Sequence, residues 1–169
     1  MKRTRFVDSE IGKDIAELVK RSEHRALAVW AAECAERVLP FFESERPNDR
    51  RPREAIEACR GWASTGIFSM REVREIVLSA HAAARKTAED SAARFAARSA
   101  GHALATAHVS THSIAAASYA VKATWACDPE EPEGSVAEER EWQYQRLMEL
   151  NRSEKQHHAP ILAERSSRR

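Results

Sequence analysis

SAARFAARSAGHALATAHVSTHSIAAASYAVKATWAC, residues Ser91 to Cys127, contains no Asp or Glu, and its only Lys or Arg residues are Arg94, Arg98 and Lys122. In a chain that is 31% charged, a stretch so poor in charge belongs in the interior. Its alanines and serines let helix backbones approach closely, and they leave bulky partners such as Trp30 and Trp62 to fill space from neighbouring helices. A helix start near Asp90 and a turn around Val109 to Thr111 fold the stretch into a helical hairpin. The expectation is an Ala-rich central hairpin wrapped by outer helices.

The flanking sequence supplies those outer helices. From His24 to Glu45, Leu27, Trp30, Ala31, Cys34, Val38, Phe41 and Phe42 recur at spacings of three and four, which marks an amphipathic helix. Pro40 predicts a kink or an early end there, because proline removes one backbone hydrogen bond. Pro52 suits a first helical position, Ala55, Ile56, Cys59, Trp62 and Ala63 follow on one face, and Gly66 closes the segment. Ser69 with Glu72 forms a capping box ahead of the stripe Val73, Ile76, Val77, Ala80 and Ala84. A second such box, Ser135 with Glu138, precedes a last helix carrying Trp142, Tyr144, Leu147 and Met148. The whole reads as an all-α, single-domain bundle of six or seven helices over residues 1–150, with a polar tail over 151–169 expected to fray and move.

Composition bounds the function. The 169 residues hold 31 Ala, while Leu, Ile, Val and Phe together number 29; with a net charge of only +1 this favours a helical domain built on small-residue contacts over a disordered chain. The same charge excludes a protein that coats nucleic acid by bulk attraction. No apolar run reaches the 18 residues that a membrane span needs, and Met1 to Phe6 lacks the apolar stretch of a signal peptide, so a cytoplasmic location is expected. Cys34, Cys59 and Cys127 include no CxxC pair and read as small core residues, with no disulfide.

No Gly-rich phosphate loop, nucleophile elbow or HExxH motif is present, so no catalytic residues are assigned and no cofactor is expected. Three clusters remain. His108 and His112 have the i, i+4 spacing of two ligands on one helix face, and with His81 they compose the alternative reading of a metal-dependent helical-bundle enzyme. Against it, the two straddle the expected turn and no carboxylate between Ser91 and Cys127 could support them; hydrogen bonding within the core is the plainer account. Arg46, Arg50, Arg51, Arg53 and Arg60, with Arg71 and Arg74 near, would suit a nucleic-acid-binding module. Asp49, Glu54 and Glu57 are interleaved and no aromatic platform accompanies them, which favours a solvated helix-start loop. Asp128, Glu130, Glu131, Glu133, Glu138 and Glu139 form an acidic segment that caps a helix N-terminus or meets a basic partner.

HRALAVWAAECAERVLPFFE (His24 to Glu43), RPREAIEACRGWAS (Arg51 to Ser64) and AGHALATAHVSTHSIAAASYAVKA (Ala100 to Ala123) together resemble the immunity proteins of bacterial polymorphic toxin systems, closest to the all-α class numbered five. The resemblance spans roughly residues 24–127. It implies a small cytosolic helical protein that neutralises a cognate toxin domain by binding it, with no catalysis, and it carries no contact residues over. Trp30, Trp62, His102, His108, His112 and Tyr119 lie in the matched motifs and read as shared fold determinants. The acidic segment is then the first expected toxin contact.

Overall fold

The structure, a computed structural model, describes residues 5–157, which hold seven α-helices and, among those described residues, no strand. They are α1 (Ile11–Val19), α2 (His24–Glu45), α3 (Arg51–Thr65), α4 (Met70–Ala84), α5 (Ala92–Ala105), α6 (His112–Cys127) and α7 (Pro132–His157). Local chemistry sets the boundaries. Ser91 Oγ accepts from the Arg94 backbone N–H and starts α5, and Ser69 Oγ does the same for Glu72 at the start of α4. Gly66 ends α3 in the left-handed region at φ 71°, where a side chain is disfavoured.

α2 and α5 are the two axes of the bundle. α5 packs on α2, α3, α4 and α6, and α2 packs in addition on α3, α6 and α7. Leu27, Trp30, Cys34, Val38 and Phe42 put one side of α2 into a cluster with Ile15, Ala96, Ala97, Ala120 and Leu147. Ala28, Ala31, Ala35 and Leu39 put the other side into a second cluster with Ile56, Cys59, Ala100 and Leu104. A helix buried on two sides cannot show one clean apolar stripe, and small residues on the second side are what let α3 and α5 come close. The charge-poor stretch does form the expected hairpin, α5 and α6 packing extensively on each other, but α2 shares the centre with it.

Three expectations are corrected. α2 does not end at Pro40 and runs to Glu45; Pro40 is exposed, as is Glu36, whose carbonyl loses its donor, so water can replace the missing bond. α7 begins at Pro132, ahead of Ser135, and Ser135 Oγ donates to Asp128 Oδ2 at 2.7 Å instead of forming a capping box. Cys127 is exposed at the end of α6, while Cys34 and Cys59 are buried as expected. α7 itself continues through His157; the rest of the expected mobile tail lies outside the described residues.

A buried polar assembly sits where α7 crosses α2 and α6. Gln143 is fully buried: its Nε2 donates to the Ala117 carbonyl and to Glu139 Oε1, and its own backbone carbonyl accepts from Trp30 Nε1 at 2.9 Å. Arg140, 3% exposed, reaches Gln143 Oε1 with one nitrogen and grips Asp8 with two others. Every buried donor there has an acceptor, as a low-dielectric site requires.

Candidate binding surface

The acidic segment divides once folded. Asp128 faces inward on its own loop, Oδ1 accepting from the backbone N–H groups of Glu130 and Glu131 and Oδ2 from Ser135, and these bonds hold its carboxyl below the usual range. Glu139 is only 3% exposed, pushed up from the ordinary carboxylate value by burial and pulled back by Arg37 and Gln143. As a contact residue Glu139 is therefore corrected: the sequence pattern of alternating charges could not show that α7 turns this one inward. Glu130, Glu131, Glu133 and Glu138 stay exposed.

The histidines regroup. His81 from α4, His102 from α5 and His112 from the start of α6 come together, with ring centroids 5.1 Å apart for the first pair and 5.3 Å for the second. Tyr119 stacks on His102 at 5.3 Å. His108 is not among them; it lies in the turn after α5 and stacks on Phe68 at 6.3 Å. The helix that the i, i+4 spacing presupposed is broken between the two residues, so the set His81, His108, His112 is not assembled. Among the described residues no group of three His, Cys, Asp or Glu could hold a metal ion.

What the imidazoles do instead follows from their surroundings. His102 Nδ1 and His112 Nδ1 are 3.2 Å apart, so one ring donates and the other accepts, and a second proton would break the bond. Burial holds His81 and His102 down to about 4, helped by a neighbouring imidazole in each case (His102 for His81, His112 for His102) and by the cationic Arg98. Neutral imidazole is the resident form at neutral pH. Gly101 makes room for this packing, since a Cβ there would fall 2.7 Å from His81 Cε1.

The arginine run is spent on ion pairs within the fold. Arg50 meets Glu57, Arg51 meets Asp49, Arg53 meets Glu43, Arg60 meets Glu36 and Arg71 meets Glu75. Such pairing leaves little free positive charge for phosphates. Arg74 is the exception, with no carboxylate partner among the described residues.

A fourth feature was not anticipated. Ile67, Phe68, Met70, Leu78 and Val109 are large apolar residues left exposed, Ile67 at 80% and Leu78 at 59%. Met70 and Leu78 line a shallow cavity of about 190 Å³ together with Val73, Arg74, Val77, Ala105 and His108; Phe68 stacks on His108 at its edge, and Ile67 and Val109 are the chain neighbours of Phe68 and His108. Two signals in the sequence pointed to it: the apolar Ile67-Phe68 pair inside a loop, and Leu78 standing off the stripe of half-buried Val73, Ile76 and Val77.

With helices, cores and surfaces in place, the comparison with known families is decisive. The family described as Imm-5 like putative immunity protein matches residues 17–150. The chain belongs to that family. No match was found among curated proteins or among solved structures. The family span takes in α2 to α6 whole, the end of α1 and most of α7, so both surfaces described above are part of the Imm-5 like domain itself. No helix of the described residues is long and apolar enough to cross a membrane.

Proposed function

We propose that this Imm-5 like protein binds the toxic domain of a cognate bacterial toxin and neutralises it by occlusion, in the cytoplasm and without catalysing a reaction. Membership of the immunity family is the observation that carries the reading. Two features of the fold support it: His102 and His112 are engaged with each other, and most of the strongly basic run is engaged in ion pairs within the fold. Calorimetry between the full chain and a catalytically silenced toxic domain encoded beside its gene tests the proposal. A one-to-one complex is expected; no heat of binding with a folded toxin overturns it. If the toxin is basic, Glu130, Glu131, Glu133 and Glu138 are the carboxylates able to steer it, and reversing the first three to Lys then slows association in a salt-dependent way.

A further inference from the structure

We infer that the α4 face is the anchoring site for the toxin, and that its occupant presents apolar side chains flanked by carboxylates. This rests on the immunity reading and names the surface that would carry it out. Five of the large apolar side chains that the fold leaves in water fall on this one face, around a cavity of about 190 Å³. That is below the usual range for small-molecule sites and suits one or two inserted side chains. An apolar centre with a charged rim is how protein interfaces are built.

The rim fixes the sign of the partner. Arg37, Arg53, Arg60, Arg94, Arg140 and Arg146 all hold carboxylates. Arg25, Arg74, Arg85 and Arg98 hold none among the described residues; the first two border this face, and the other two lie near His81, further along α4. Arg25 lies over Gly66 beside Ile67, Arg74 lines the cavity, and Arg85 and Arg98 act on His81. On α4, Arg74, Leu78, His81 and Arg85 follow at i, i+4, i+7 and i+11, a single stripe, while Glu72 and Glu75 fall off it and Glu75 is already paired with Arg71. Across the groove, α5 and α6 contribute no carboxylate at all. The surface therefore has several cations and no internal means of neutralising them.

A second copy of this chain is the wrong occupant, because a two-fold contact would set Arg74, Arg85 and Arg98 against their own counterparts. A partner with carboxylates around an apolar projection satisfies both parts of the surface. The acidic start of α7 is built on other elements: α4 packs on α3 and α5, and α7 on α1, α2 and α6.

The test uses the full chain and the silenced toxic domain, with Leu78→Asp, Leu78→Lys, Arg74→Glu and Arg98→Glu as variants. Leu78 and Arg74 are exposed, and thermal melts confirm that each variant folds. Leu78→Asp is expected to weaken binding about 100-fold and Leu78→Lys about tenfold, with Arg74→Glu and Arg98→Glu each near tenfold. Reversal of Glu130, Glu131 and Glu133 leaves affinity within about threefold. Wild-type affinity in Leu78→Asp, or a greater loss in Leu78→Lys than in Leu78→Asp, overturns the inference while the immunity function stands. Self-association abolished by Leu78→Asp, seen by sedimentation, overturns it in favour of a second copy. Failure of the wild type to bind overturns the immunity reading, and this inference with it.

Discussion

Arg140 and Asp8, 132 residues apart in the chain, meet in a two-pronged ion pair, with Nε on Oδ1 at 2.8 Å and Nη2 on Oδ2 at 2.6 Å. The arginine is buried and the aspartate is 40% exposed on its side chain, so the pair works as a clasp between the segment before α1 and the middle of α7. Its importance lies in Arg140, whose buried guanidinium would otherwise have only Gln143 and Ser118 to answer it.

Asp8→Ala is accordingly expected to lower stability by about 1–3 kcal/mol, the cost of leaving a buried charged donor without its acceptor. Arg140→Met, which fills the space and removes the charge, is expected to cost less when combined with Asp8→Ala than the single changes sum to. A double-mutant cycle by urea denaturation measures that coupling, and additivity of the two changes would contradict it.

Trp30 predicts a second, sharper result. It is fully buried, and its indole N–H satisfies the Gln143 backbone carbonyl. Trp30→Phe keeps most of the apolar contact but removes the indole hydrogen bond, leaving that carbonyl with its intrahelical partner alone, with an expected loss of about 0.5–1.5 kcal/mol. Trp30→Ala adds a cavity and is expected to cost about 3–5 kcal/mol. A Trp30→Phe variant as stable as the wild type in thermal melts would show that packing alone matters at this position.

The imidazole cluster makes stability depend on acid. His81 and His102 titrate near 4 in the fold against an ordinary 6.5, held down first by burial, then by the neighbouring imidazoles (His102 for His81, His112 for His102) and by Arg98, with Arg85 adding to the effect on His81. Between those two values the unfolded chain takes up protons that the folded chain refuses. Stability is therefore complete above about pH 6.5 and falls as the pH drops toward 4. Glu139, raised by burial, works in the opposite direction at the acid end, since the fold accepts its proton more readily than the open chain. Two histidines against one carboxyl leave a net loss. A melting temperature that does not change between pH 7 and 5 would contradict this, and His102→Gln is expected to flatten the slope.

Gly66 supplies the fourth expectation. Its φ of 71° is strained for any L side chain, and a Cβ there would run into the Arg25 guanidinium. Gly66→Ala is expected to cost about 1 kcal/mol and to displace Arg25 from the α4 face. A melt and a binding measurement on the same variant separate the two consequences.

Much of this architecture can be read from the chain. The carboxylate-free stretch from Ser91 to Cys127 located the α5–α6 hairpin because burying charge is costly enough to shape composition over many residues. Ser69, Pro52 and Gly66 marked helix boundaries because caps and turns act within a few residues, and the start expected near Asp90 falls one residue on, with Ser91 as the cap. The functional surfaces were less legible. Glu139 and Glu138 are neighbours of the same type, and only the crossing of α7 over α2 decides which one meets Arg37. His108 and His112 have ligand spacing, yet the turn between them sends one toward Phe68 and the other toward His102. The α4 face was hidden for a related reason: five apolar residues from three separate segments become one surface only after folding.

The cysteines give the protein a built-in reporter of its own opening. Burial pushes the Cys59 thiol up to about 12, with Sγ against the Ala28 and Ala103 carbonyls, and raises Cys34 well above its ordinary value. Cys127, at the end of α6, is in contact with water. An alkylating reagent at mildly alkaline pH thus modifies one sulfur in the intact molecule, while the other two become reactive only when the bundle parts. Counting the modified thiols over time turns mass spectrometry into a clock for the separation of α2 and α3.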